Sequence, residues 1–73
     1  MMIPSNYKIN VAKLQKKPLE PVLRYYHYCR IELGDTSELD AVDKLHQLRK
    51  FFPPEFKLTL SRVECGGKEI EEL

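Results

Sequence analysis

Arginine and tyrosine alternate along one short stretch of this chain, with Arg24, Tyr26, Tyr28 and Arg30 at every second position of VLRYYHYCRIEL. On an extended strand such residues share a face, so the row would hold two phenol rings between two guanidinium groups. Rings and cations so placed can stack on unpaired bases and neutralise phosphates. Tyrosine and arginine are also the residues most enriched at protein–protein hot spots. Lys57, on a later strand, would extend the face, and Lys13, Lys16 and Lys17 would add a basic hairpin loop beside it. The glycine–aromatic signature of the common RNA-binding sheet is absent, and the net charge is only +1, so composition favours a protein partner over nucleic acid. The leading expectation is a non-catalytic interaction or regulatory module that binds itself, as a homodimer, or another protein through an open sheet face or a strand edge. The alternative is a single-stranded nucleic-acid binder using the same tyrosines and the lysine loop.

A second constellation is His27 with Cys29, two positions apart and therefore on one side of an unbroken strand, with Cys65 or His46 as further donors. Two histidines and two thiols are a zinc donor set, but no Cys-x-x-Cys pair anchors one here. A nucleophile reading would take either cysteine with His27 as base and Glu32 or Glu64 orienting it. No nucleophile elbow, phosphate-cradling loop or paired-carboxylate motif accompanies these residues. A core this small also rarely leaves room for a pocket of about 300 Å³. A small enzyme or zinc protein built on His27, Cys29 and Cys65 is thus the second alternative; the expectation is no enzyme, no cofactor and no metal.

Charge is sorted along the chain. Residues 8–30 carry Lys8, Lys13, Lys16, Lys17, Arg24 and Arg30 against Glu20 alone, whereas residues 31–43 carry Glu32, Asp35, Glu38, Asp40 and Asp43 unopposed. Part of this suits a helix with acids in its first turn and Arg49 and Lys50 in its last, each complementing the helix dipole by about 0.3–1 kcal/mol.

The elements that would position these groups follow from periodicity. Tyr7 to Leu14 alternates, with Tyr7, Ile9 and Val11 on one side and Lys8, Asn10 and Ala12 on the other, as a half-buried strand does. QKKPLEP cannot continue a central strand, because proline has no amide hydrogen, and reads as a long hairpin loop. Val22 to Leu33 is the second strand, with Leu23, Tyr25, His27, Cys29, Ile31 and Leu33 expected inward and the arginine–tyrosine row outward. Gly34 would end it. Asp35 with Glu38, or Ser37 with Asp40, can open a helix. Ala41, Leu45, Leu48 and Phe52 then form one apolar stripe, with Val42 at its flank, and Pro53 and Pro54 stop the helix at Phe52.

Phe56 to Cys65 reads as the return strand, with Phe56, Leu58 and Leu60 inward and Lys57, Thr59 and Ser61 outward. Arg62 and Glu64 break that pattern, so a bulge near Ser61 is expected. Gly66 and Gly67 suit a tight turn into a short fourth strand over Lys68 to Ile70. The result is a single α+β domain over residues 1–73, in the order β-β-α-β: one antiparallel or mixed sheet of three to four strands with one helix on one face. Residues 1–6 and 71–73 would be frayed. Periodicity leaves open whether the first strand lies at the edge or between the second and third. With 42% hydrophobic and 32% charged residues, a chain of 73 can close one core only. Two cysteines are too few for a disulfide framework, and no apolar run reaches the roughly 20 residues that span a bilayer. A cytoplasmic protein without membrane attachment is expected.

Overall fold

The computed structural model describes residues 5–63 and 69–73. Four strands and one helix follow in the order β1 (Ser5–Gln15), β2 (Arg24–Thr36), α1 (Glu38–Arg49), β3 (Phe56–Arg62) and β4 (Glu69–Glu72). The strands form one sheet of order β2-β1-β3-β4, and each neighbouring pair is antiparallel. The expected α+β architecture is therefore present, fourth strand included. The first strand is central, inserted between β2 and β3.

The alternation in β1 and β3 does what periodicity requires. Tyr7, Ile9 and Val11 from β1 meet Phe56, Leu58 and Leu60 from β3 and Ala41 and Leu45 from α1, and these eight residues are the buried core. Val42, Leu48, Phe52 and Ile70 pack around them. Of the two possible caps Ser37 is used: its hydroxyl accepts from the Asp40 amide at 3.2 Å, the usual N-cap contact. Asp35 is unavailable because it lies inside β2, opposite Asn6.

Several expected boundaries shift. β2 begins at Arg24, not Val22, and does not stop at Gly34; it continues to Thr36. Gly34 instead takes φ +71° where the β1–β2 register slips, so its freedom of backbone serves a bulge and not a terminus. The helix ends at Arg49, three residues before Phe52. The Phe52 ring still reaches the core, in a tilted contact with Phe56 at 5.2 Å between ring centres. β3 ends at Arg62, and the bulge expected near Ser61 is absent from its pairing with β1, which runs unbroken from Tyr7↔Arg62 to Lys13↔Phe56. The irregularity near Ser61 lies in the β3–β4 pairing, where Leu60 faces Glu71 and Ser61 faces Glu69. Arg62 keeps its inward place with its guanidinium 6.0 Å from the Tyr7 ring centre. Glu64, Cys65, Gly66, Gly67 and Lys68 lie outside the described residues, and with them the proposed glycine turn.

Residues 71–73, read from the sequence as a frayed end, are tied down. The Leu73 amide donates to Leu58 O at 2.8 Å and the Leu58 amide donates to Leu73 O at 2.9 Å. Arg49 fastens the same corner. Its guanidinium donates to the carbonyls of Phe52 at 3.1 Å, Pro53 at 2.6 Å and Leu73 at 3.4 Å, and to that of Phe56. Four carbonyls at this corner thus share one cation, two of them, Pro53 O and Leu73 O, while also accepting from the Phe56 and Leu58 amides.

The helix is short for the sheet it covers. Twelve residues of helix span about 18 Å, whereas thirteen residues of strand span about 43 Å. β1 and β2 run past the start of β3 and carry the 16–23 loop outward as an arm, which explains a molecule 50 Å long and only 15 Å thin. Among the described residues no helix is long and apolar enough to cross a membrane.

Candidate interaction surfaces

The arginine–tyrosine row is not one surface. Val11 faces Cys29 but Ala12 faces His27, so Tyr28 is an extra residue on β2 and the alternation reverses there. On the arm side of that bulge, Arg24 and Tyr26 turn to the helix side of the sheet, since they lie opposite the inward-parity residues Gln15 and Lys13. Tyr28 joins them, packing its ring edge-on to the core residue Phe56 at 4.9 Å. Arg30 remains on the open face with Asn10, as Lys57 does with Ala12. Conversely Tyr25 and His27, expected inward, are exposed on the open face. The expected set Arg24, Tyr26, Tyr28, Arg30 and Lys57 is thus divided between two faces.

The same bulge separates His27 from Cys29, which point to opposite sides of the sheet. His46 pairs with Glu71 at 3.4 Å, linking the helix to β4. Among the described residues no group of three or more His, Cys, Asp or Glu could hold a metal ion. Cys65, the remaining member of that constellation, lies outside them.

At the arm, the lysines find aromatic partners within the chain. Lys17 Nζ sits 4.4 Å above the Tyr26 ring, Lys57 Nζ 4.7 Å above Tyr25 and Lys13 Nζ 5.6 Å from the Phe56 centre. Such contacts are each worth about 0.5–1 kcal/mol at exposed sites. The Tyr26 hydroxyl donates to the Glu20 carboxylate, and that hydrogen bond, with some desolvation and the nearby negative charge, raises the Tyr26 pKa above the ordinary phenol value against the opposing effect of Arg24. Arg24 Nε lies 3.9 Å from the same carboxylate. Lys16 is exposed, and the tip adds bare apolar residues: Leu19, 98% exposed, with Val22 and Leu23.

A shallow cleft of about 500 Å³ opens beside Tyr25, Phe52, Phe56 and Lys57. Its most basic group, Arg49, is already committed to backbone carbonyls. Its other polar lining is Tyr25 and Lys57, in contact with each other, and Glu72.

The edge of β2 is the longer of the two sheet edges. The strand pairs with β1 on one side, and no described segment pairs with its outer side. Cys29, Ile31 and Leu33 reach the helix side of the sheet but are only half covered. Next to them, Ile31, Leu33, Lys44, Gln47, Leu48 and Phe51 line a groove of about 250 Å³. Phe51 is 81% exposed at its rim. On the opposite face, Arg30 and Glu32 form an exposed ion pair at 3.1 Å. These edge residues were missed from the sequence apart from Arg30, although one signal was available: Phe51 is a large apolar residue off the Ala41, Leu45, Leu48 and Phe52 stripe.

Comparison with protein-family models, curated proteins and solved structures gives no match to this chain.

Proposed function

We propose that the protein is a non-catalytic interaction module that works by strand addition at the outer edge of β2, with self-association into a homodimer as its basic product. The observation that carries this reading is a thirteen-residue strand that, among the described residues, has no neighbour on one side, beside an apolar groove that the helix only half covers. Long open edges are templates for pairing with another chain, and soluble proteins ordinarily shorten, cover or charge them. Added strands gain main-chain hydrogen bonds along the edge and side-chain contacts at alternate positions. Here the contacts on one side would be made by Cys29, Ile31, Leu33 and Phe51.

Sedimentation equilibrium from micromolar to hundreds of micromolar tests it. The wild type is expected to dimerise. Ile31→Lys, which turns a charge into the seam, is expected to give a folded monomer by circular dichroism, while Asn10→Lys on the open face leaves the dimer intact. A wild type that stays monomeric throughout the range would sink the self-association reading. A monomer that binds an unpaired oligonucleotide, with affinity falling steeply in salt, would favour the nucleic-acid alternative through Lys13, Lys16 and Lys17. For that alternative the stacking rings beside Arg30 and Lys57 would be Tyr25 and His27, because Tyr26 and Tyr28 lie on the other face.

A further inference from the structure

Resting on the edge-pairing reading, we infer that the occupant of the β2 edge is a second copy of this chain, paired antiparallel about a two-fold axis at Ile31, so that Arg30 of each copy faces Glu32 of the other. The two bulges limit the choices, since they fall at Tyr28 and Leu33 and leave Cys29–Glu32 as the regular stretch between them. In antiparallel pairing, residues directly opposite point to the same face. Four two-fold centres are then available.

A centre at Cys29 would set Arg30, on the open face, against Tyr28, on the helix face, which the pleat forbids. Centres at Arg30 or Glu32 would set a like charge directly against itself, which destabilises a cross-strand pair. The centre at Ile31 places Arg30 opposite Glu32 twice on the open face, and Ile31 opposite Ile31 with Cys29 opposite Leu33 on the other. Arg30 and Glu32 are already within 3.1 Å in one chain and remain more than half exposed, so they can exchange partners without rearrangement. Both helices lie on the same side of the joined sheet. Leu48 and Phe51 of the two copies then flank one continuous apolar seam.

The same axis accounts for the sorting of charge along the chain. Going outward from Ile31, one copy proceeds into its basic arm, with Arg24, Lys17 and Lys16, while its partner proceeds into Asp35, Glu38, Asp40 and Asp43. Helix dipoles explain the acids at the start of α1, but not the excess of cations on the arm. Antiparallel pairing brings the two blocks together at both ends of the dimer, and complementary charge of this kind fixes register and speeds encounter.

Charge exchange tests the register separately from dimerisation itself. Arg30→Glu and Glu32→Arg are each expected to weaken homodimerisation by roughly tenfold through like charges set opposite one another. An equimolar mixture of the two is expected to restore wild-type affinity as a heterodimer, because both pairs become attractive. In a Cys29→Ser, Cys65→Ser background, Ile31→Cys is expected to form a symmetric disulfide on mild oxidation, since facing residues lie within the 4.4–6.8 Å Cα separation a disulfide accepts. A wild-type dimer whose variants neither complement nor cross-link would overturn the register and leave self-association standing; a monomeric wild type would overturn both.

Discussion

The two edge strands of the sheet differ in length and composition. β4 is four residues long, reads Glu-Ile-Glu-Glu, and is fastened by the Leu58–Leu73 hydrogen bonds and by Arg49. β2 is three times longer, rich in aromatic and branched residues, and has no described neighbour outside it. Shortness and negative charge make the first a poor template for a further strand. The second is long, and along Cys29–Glu32 its charges, Arg30 and Glu32, are of opposite sign and paired with each other. The two edge strands thus differ in length and charge, while neither has a described strand outside it.

Perturbing each edge sharpens that contrast. The largest effect is expected beside β4: Arg49→Met removes the cation shared by four carbonyls and should lower stability by about 1.5–3 kcal/mol, the usual range for hydrogen bonds to a charged group. Urea denaturation of the variant measures it, and a loss below about 1 kcal/mol would show that water replaces the guanidinium freely. At the open edge, Gly34→Ala meets no neighbouring atom within 4 Å, so its expected loss of about 1–2 kcal/mol comes from the left-handed backbone alone. A neutral result would mean the bulge relaxes, and the spacing of Leu33 from Ile31 along the edge would then change with it.

The smallest effect belongs to the arm. The Tyr26 pKa is raised above the ordinary phenol value chiefly by its hydrogen bond to Glu20. A group with a raised folded pKa contributes stability that is present below its unfolded pKa, near 10, and lost as pH rises through the folded value. The arm contact should therefore hold through neutral pH and release only in strong alkali. Phenolate absorbance should show a late-titrating step that moves to lower pH in Glu20→Gln; a titration profile that Glu20→Gln leaves unchanged would contradict the contact.

Much of this fold was legible because its core obeys simple periods. Tyr7, Ile9, Val11, Phe56, Leu58 and Leu60 alternate, and Ala41, Leu45 and Leu48 follow the helical repeat, so class, order and inner face could be read directly. Two features could not. The Tyr28 bulge needs no glycine and leaves no composition signal, yet it reverses the facing of the arm-side half of β2 and divides the arginine–tyrosine row. The position of β2 at the edge depends on β1 pairing with β3, a contact between segments more than forty residues apart in the chain. Local patterns carry no information about it. The candidate site moved accordingly, from the face of the second strand to its flank, with Arg30 common to both.

The central place of β1 also governs the order of assembly. The β1–β2 hairpin joins neighbours in sequence and can form on the microsecond scale of local pairing, whereas β3 must close a much longer loop before it reaches β1. Until Phe56–Leu60 arrives, the hairpin has two open edges and its apolar face is bare. During synthesis and refolding, the side of β1 destined for β3 is therefore the transient adhesive surface, and dilution at that stage should favour the native chain over tangled oligomers.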